Sequence, residues 1–204
     1  MEKHLSKLRL DGGALCLDFT NTIHDRTKEG SFDYLGSYQD VLKWCRHAGV
    51  LTAPVMKTLE RLAKAYPPKA DAVFRKTILL RALLFQLFSD QATGKTPDPM
   101  LVEQLNPYLA AAFEQLSLQH LSKKTPATLS FITPELDLPW WLVVKSAVDV
   151  LVSEQLLRVR RCPACYWLFI DKSKNRSRRW CNMATCGDLH KVKQFYERKK
   201  QTDK

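Results

Sequence analysis

Hydrophobic residues recur with a helical period along most of the chain. In these segments apolar side chains return every three or four residues, which places them on one face of a helix. Ser37 followed by Asp40 resembles a capping box at the start of the first segment, and Gly49 ends it. Pro54 fits the first turn of the second segment. The predicted helices cover residues 37–48, 52–66, 71–91, 100–118 and 140–158.

Three of these helical segments carry additional information. Residues 71–91 are apolar on most sides, as expected for a helix that packs centrally. Pro107 is expected to break or kink the helix of residues 100–118, because proline has no N–H to donate. Residues 138–157 are strongly apolar, but three charged residues interrupt them, so they predict a buried helix and not a membrane span.

Short apolar stretches predict a few strands beside the helices. Residues 8–10 and 14–19 flank Gly12-Gly13 and predict a hairpin near the N-terminus. Residues 119–124 and 128–133 predict a second small hairpin. The fold is therefore expected to be mainly α, in the α+β class, with a helical N-terminal domain that contains a small β-hairpin. The remaining strand is predicted at residues 166–170. Loops are predicted at 24–36, 94–99 and 171–177.

Charge divides the chain into two parts. Residues 1–157 carry 18 Lys/Arg against 17 Asp/Glu, a net of +1, whereas residues 158–204 carry 14 against 4, a net of +10. We therefore predict an N-terminal domain at 1–157 and a small basic module at 158–204. So sharp an asymmetry favours contact with a polyanion, either nucleic acid or an anionic membrane surface. The alternative is that the charge run only forms a solvated face.

Four of the six cysteines form two close pairs in the basic module. The first residues of the chain are charged and include no apolar run of signal-peptide type, so we expect a cytoplasmic protein with reduced thiols. Four thiolates suit a tetrahedral Zn²⁺ ion, with Zn–S bonds of about 2.3 Å, and leave no open position for a catalytic water. Disulfides, a dithiol redox pair and four unrelated buried cysteines are the alternatives. The predicted ligands are Cys162, Cys165, Cys181 and Cys186.

The order of elements around these cysteines is a knuckle, a hairpin and a helix that starts near Cys186 and runs to about residue 200. This order predicts a treble-clef-like finger. Its loop and its helix both carry positive charge, which favours DNA binding through phosphate neutralisation. In a major groove the helix would present three residues on one face. The predicted nucleic-acid-binding residues are Lys172, Lys174, Arg176, Arg178 and Arg179 in the loop and Lys191, Gln194 and Arg198 in the helix.

Two other functions are compatible with the same cysteines. The finger is an RNA-binding or protein-interaction module in one alternative, with zinc purely structural. It is a zinc-thiolate redox switch in the other, in which oxidation ejects the metal and releases the basic end of the chain. No phosphate-binding glycine loop, Gly-x-Ser-x-Gly elbow or His-Glu-x-x-His pair is present, and the histidines are scattered, so we do not expect an enzyme.

The C-terminal residues resemble a known family. Cys-Pro-x-Cys165, then Phe169-x-Asp171-x-Ser173, then Asn175-x-x-Arg178-Arg-Trp-Cys181 are similar to the CGNR-type zinc finger. The resemblance implies a zinc-bound, DNA-binding module. Asp188 and Leu189 stand where that family usually has Asn and Arg, which removes the contact expected of the usual arginine.

The N-terminal residues resemble the ABATE domain, whose family is named for stress-induced transcription regulation. The matching residues are Gly12-Gly13, Leu17-Asp18-Phe19-x-Asn21-Thr22, Asp33-x-Leu35, Trp44 and Leu80-Arg81-x-Leu83. The layout of a nearly neutral helical domain before a DNA-binding finger is that of a one-component regulator. Single DNA-binding modules often depend on dimerisation, so a homodimer is also expected.

A regulator of this layout needs a place for its effector. Four polar residues lie beside strongly apolar sequence, and we expect them to line a pocket for a small molecule. The alternative is that Asp18 and Arg81 form a structural ion pair or cap a helix. The predicted pocket residues are Asp18, Asn21, Thr22 and Arg81.

Overall fold

The computed structural model describes residues 5–119, 124–131, 133–189 and 191–192. In that part of the chain most residues of regular structure belong to six α-helices. Short 3₁₀ helices lie at Leu5–Lys7 and at Glu154–Arg158. The α-helices are α1 (Leu15–Thr20), α2 (Tyr38–His47), α3 (Ala53–Ala65), α4 (Pro67–Ala92), α5 (Pro99–Phe113) and α6 (Leu138–Leu151).

The strands of the described residues form two antiparallel hairpins. Strand β1 (Leu116–Gln119) pairs with β2 (Thr128–Phe131), which confirms the second predicted hairpin but moves its first arm towards the N-terminus. The rest of that predicted arm, residues 120–123, lies outside the described residues. Strand β3 (Val159–Arg161) pairs with β4 (Leu168–Ile170), so that the first residue of β3 lies opposite the last residue of β4.

The predicted hairpin around Gly12-Gly13 is wrong, because its second arm is helix α1. A short apolar run is compatible with either a buried strand or a buried helix, and here tertiary packing decides. Cys16, Leu17 and Phe19 are all fully buried, and α1 packs against α4, α6 and β4. The glycines still form a turn, since Gly13 has a φ angle of +79°.

The other predicted helices are present with shifted ends. The Ser37 hydroxyl accepts a hydrogen bond from the Asp40 N–H, which confirms the predicted cap of α2. Helix α4 begins at Pro67, because proline suits the first turn of a helix. Helix α5 runs through Pro107, so the predicted break is wrong. Glu103 and Pro107 are both exposed, so water can hydrogen-bond the carbonyl that the proline leaves without a donor.

The core lies around α4, whose Leu80, Leu84 and Phe88 are fully buried. Helix α6 is buried along most of its length, as predicted, and ends at Leu151. No helix of the described ranges is long and apolar enough to cross a membrane. Strands β3 and β4 pack on α4, and β4 also contacts α1. The cysteine module is therefore attached directly to the helical core.

Candidate metal centre and its basic surface

The four predicted ligands form one sulfur cluster. All four thiols are buried, and their sulfur atoms lie within 4.8 Å of one another. The Sγ atoms of Cys165, Cys181 and Cys186 are 3.6 Å apart in each pair. A tetrahedron with Zn–S bonds of about 2.3 Å has S–S edges of about 3.8 Å. The spacing of these three sulfurs therefore suits a tetrahedral zinc ion, and Cys162 is close enough to supply the fourth ligand.

The local backbone explains how the first two ligands converge. The Cys162 N–H donates to the Trp167 carbonyl at 2.8 Å, and the Tyr166 N–H donates to the Cys162 carbonyl at 2.9 Å. Tyr166 adopts the left-handed region, with φ of 60°, which closes the turn after Cys165. Cys186 lies in a π-helical turn, Met183–Gly187. The chain is helical again at residues 188–189 and 191–192, and the predicted continuation to residue 200 lies outside the described residues.

A cation is also needed to balance the charge of four thiolates in the sulfur cluster. Hydrogen bonds from Cys165 and Cys181 hold the pKa of Cys162 far below its ordinary value. Hydrogen bonding to Cys162, together with burial, raises the pKa of Cys165 and of Cys181 far above theirs. Four sulfurs this close cannot all be thiolates unless a positive charge compensates them. A divalent metal that takes thiolate ligands supplies that charge.

The loop that follows β4 is held by the buried carboxylate of Asp171. Its two oxygens accept hydrogen bonds from the backbone N–H of Ser173, at 2.8 Å, and of Arg178, at 3.0 Å. Burial raises the pKa of Asp171, but hydrogen bonds from Ser173 and Arg178 outweigh it and leave that pKa below its ordinary value. The carboxylate therefore fixes both ends of residues 171–178. Sequence reasoning recognised Asp171 only as part of a family pattern and did not foresee this role.

Arg178 supports the metal ligands from the same loop. Its guanidinium lies over the Phe169 ring, 4.6 Å from the centroid, and donates to the carbonyl oxygens of Trp180 and Cys181. These contacts hold the backbone that leads into the third ligand. Arg178 was predicted to bind nucleic acid, and its guanidinium already makes these contacts within the finger.

Arginines from two parts of the chain meet beside the zinc knuckle. They line a depression of about 400 Å³ next to Pro163. Two of them come from β3, so sequence reasoning missed them: only the pairing of β3 with β4 brings them to the loop. Arg161 is held by a hydrogen bond of 2.9 Å to the Ser89 hydroxyl of α4. We call this set the arginine surface; its members are Arg160, Arg161, Arg176, Arg178 and Arg179.

The other predicted nucleic-acid residues have different surroundings. Lys172 and Lys174 are exposed in the loop. Lys191 is exposed and pairs with Asp188 at 3.3 Å. Gln194 and Arg198 lie outside the described residues. The role of all these residues in binding nucleic acid stays a prediction.

Asn21, predicted to line a pocket, joins the helical part to the finger. Its side-chain N–H donates to the Leu168 carbonyl at 2.9 Å, and its side-chain oxygen accepts from the Leu168 N–H at 2.9 Å. Nearby, the Trp167 indole donates to the Ile23 carbonyl at 2.7 Å. The Ile170 N–H donates to the Gly12 carbonyl at 2.9 Å. We call this set of bonds the seam; it satisfies backbone groups on both sides of β4.

The other predicted pocket residues also bond to the protein. Asp18 accepts a hydrogen bond of 2.7 Å from the Gly12 N–H, and burial raises its pKa to about 7. Arg81 donates to the Thr22 hydroxyl at 2.8 Å and pairs with Asp33 at 2.5 Å. The carboxylate partner of Arg81 is therefore Asp33, and the considered pair of Arg81 with Asp18 is not formed. A ligand pocket at these residues stays a prediction, and their contacts favour a structural role.

Comparison with known families gives two matches. Residues 13–154 match the ABATE family model, described as a putative stress-induced transcription regulator. Residues 158–199 match the model of the CGNR zinc finger. A search of curated proteins finds no match. With the sulfur geometry, the second match identifies the cysteine quartet as a Zn²⁺ site, and both matches confirm the predicted resemblances.

Proposed function

The chain belongs to the ABATE family, and on that premise we propose that it is a transcription regulator that binds DNA through the arginine surface of its zinc finger. The observation that carries the proposal is the convergence of five arginines on one depression beside the metal site. Neither matched family is described as an enzyme, and we propose a non-catalytic role in the cytoplasm.

The chemistry of the arginine surface suits a phosphate backbone. Guanidinium groups bind phosphate oxygens bidentately and keep their charge at any physiological pH. Because the zinc ion, Asp171 and the β3–β4 pairing position these groups, little conformational entropy is lost when DNA binds. Few acids oppose them: within the described finger residues Asp171 is buried and Asp188 pairs with Lys191.

The redox-switch alternative is less well supported by the site. The ligand sulfurs belong to residues that are at most 8% exposed, so peroxide reaches them less easily than it reaches exposed thiolates. The RNA-binding alternative shares the same surface and is decided by comparing RNA with duplex DNA in the experiment below. The protein-interaction alternative would be favoured if the protein bound neither nucleic acid. A homodimer and a small-molecule effector remain part of the proposed regulator.

The test measures, by fluorescence anisotropy, how tightly the full-length protein binds labelled nucleic acids across a salt series. The nucleic acids are defined DNA duplexes, random DNA duplexes and structured RNA. We expect Arg176→Ala with Arg179→Ala to weaken duplex binding by about tenfold or more near 100 mM salt and to reduce the salt slope by about 2. These two arginines are chosen because both are exposed in the loop.

The matched control removes two exposed arginines from the helical part, Arg46→Ala with Arg61→Ala. It should leave the duplex affinity within about twofold of the wild type, because a cation contributes mainly through the phosphates it neutralises and neither residue belongs to the arginine surface. Equal losses in both double variants would indicate a non-specific charge effect and contradict the proposal. Tighter binding to RNA than to any duplex would replace DNA by RNA as the target.

A further inference from the structure

An apolar cleft of about 260 Å³ lies between α4, α5 and α6, away from the four pocket residues predicted from sequence. Nine of its eleven lining residues are apolar. Val102 of α5 and Val152 just after α6 border it and are 49% and 78% exposed. Apolar side chains at the rim of a cleft leave unfavourable surface in water, which a bound apolar molecule would cover.

The polar groups of the cleft indicate what that molecule carries. Gln91 of α4 and Asn106 of α5 are the two amides of the lining, and within the described ranges neither makes a side-chain hydrogen bond. An amide offers both a donor and an acceptor. No charged residue belongs to the described lining. The ligand class is therefore an uncharged, mainly apolar molecule with one hydrogen-bonding group.

A larger cavity, of about 790 Å³, lies beside the zinc ligands Cys165 and Cys186 but gives no comparable indication. Two of its charged side chains already have ion-pair partners. Arg9 pairs with Asp11 at 2.9 Å, and Lys28 pairs with Asp25 at 3.3 Å. The apolar cleft, with its unpaired amides, has the clearer ligand preference.

Two elements lead from the wall of the cleft to the arginine surface. Leu156 lines the cleft and belongs to the 3₁₀ helix that runs directly into β3. In the same helix Arg158 donates to the carbonyls of Asp171, at 3.2 Å, and Ser173, at 3.4 Å. A shift of this helix would therefore move the loop that carries the finger's positive charge.

The second connection runs along α4. Leu87 and Gln91 line the cleft, and Ser89 between them holds Arg161 of the arginine surface. A ligand that displaces this part of α4 would displace the hydroxyl that positions the guanidinium. Both connections begin at cleft walls. The first ends at the loop that carries Arg176, and the second ends at Arg161 of the arginine surface.

We infer that this cleft binds a small uncharged molecule with an apolar body and one hydrogen-bonding group, and that its occupation changes the affinity of the arginine surface for DNA. The binding site stands on the cleft alone. The change in DNA affinity rests on the proposed function.

The site is tested with the neutral fluorophore N-phenylnaphthylamine, which has an apolar body and one N–H, and with full-length zinc-loaded protein. We expect a saturable fluorescence increase with one probe per chain. Asn106→Trp places a large ring at the exposed edge of the cleft and should weaken probe binding by about tenfold or more. Gln104→Trp, an exposed position on the same helix outside the lining, is the matched control and should bind like the wild type.

Absence of saturable binding, or equal binding by Asn106→Trp and the wild type, would overturn the site. Both substitutions are at exposed positions, and equal unfolding temperatures of the two variants verify that folding is not the cause of a difference. The probe result does not depend on DNA.

The connection to the finger is tested by repeating the DNA titration with saturating probe. We expect the Kd for duplex to change by about fivefold or more, as is typical of coupled sites, in the wild type and Gln104→Trp but not in Asn106→Trp. An unchanged Kd despite bound probe would overturn the connection and leave the site. Absence of any DNA binding would overturn the proposed function, while the fluorescence result still decides the site.

Discussion

The helical part and the zinc finger hold their shapes by different means. In the helical part large side chains bury one another: the rings of Phe19 and Trp44 lie 5.3 Å apart and both are fully buried. The finger has two three-residue strands and four metal-binding sulfurs. Because the metal and contacts with the helical core stabilise the finger, it needs few apolar residues of its own, and 14 of its 47 residues are Lys or Arg.

Strand β4 of the finger is buried on both faces, partly by the helices of the N-terminal part. Leu168, Phe169 and Ile170 are almost completely buried, and β4 contacts α1 and α4. The seam at Asn21 satisfies the backbone of the same strand. The finger is therefore built partly by the N-terminal residues, and the boundary between residues 157 and 158 stays a prediction about sequence rather than a physical gap.

Removing the metal should have the largest effect, and it should affect the finger more than the helical part. Cys181→Ser leaves three thiolates for an ion that contributes about 10–16 kcal/mol of apparent binding free energy to structural sites. We expect the zinc content to fall from one per chain towards zero. Most of the helical circular dichroism should remain, because the helices bury a core of their own around Leu80, Leu84 and Phe88.

The matched control for that experiment is Cys45→Ala, which changes a fully buried cysteine of the helical part. It should retain one zinc per chain and lose stability instead, through a small cavity. If Cys181→Ser lost the helical signal together with zinc, the helical part would also depend on the metal, and the contrast between the two parts would not hold.

A smaller effect is expected at the seam. Asn21→Ala leaves the N–H and the carbonyl of Leu168 buried without partners, which should lower the free energy of unfolding by about 2–4 kcal/mol. Urea unfolding of the zinc-loaded protein measures it. Asn175→Ala, at an exposed loop position, is the control and should change stability by less than about 0.5 kcal/mol. Similar losses of stability in both variants would show that the bonds of Asn21 in the seam do not stabilise the protein specifically.

The smallest effect concerns the pH dependence of the helical part. Burial raises the pKa of Asp18 to about 7 from its usual value of 3.8. The unfolded carboxyl therefore ionises at lower pH than the folded one, and the protein loses stability as the pH rises from about 4 to 7.

Asp18→Asn removes that titration while keeping an oxygen that can accept from the Gly12 N–H. We expect it to flatten the stability profile over this pH range and to be more stable than the wild type near pH 8, by about 1–3 kcal/mol. Asp149→Asn, at an exposed site on α6, should keep the slope of the wild type. An unchanged slope in Asp18→Asn would contradict the effect of burial.

Local patterns predicted the features that depend on neighbouring residues in the chain. The spacing of the cysteines identified all four ligands, and Ser37 identified the start of α2. In both cases the chemistry is complete within a short segment. The ends of α4 and α6 were less accurate, because capping and the change to a 3₁₀ helix depend on what packs against each end.

Features that depend on tertiary contacts were missed. The run at residues 15–20 became a helix because it is surrounded by α4, α6 and β4, which a period-two pattern cannot reveal. Arg160 and Arg161 join the loop arginines only through strand pairing. Asn21 finds its partner 147 residues away. The four polar residues in apolar sequence were predicted to line a pocket, which stays a prediction, and the sequence could not show which groups of the protein they bond.

If zinc positions the arginine surface for DNA, the affinity for duplex should follow the zinc occupancy of the protein. The full-length protein is titrated with a chelator and then with Zn²⁺, while bound metal, helical signal and duplex anisotropy are followed together. We predict that affinity falls in proportion to zinc lost, with the helical signal largely kept, and returns when one zinc per chain is restored. Unchanged duplex affinity in metal-free protein whose helices remain folded would show that zinc does not position the DNA-binding surface.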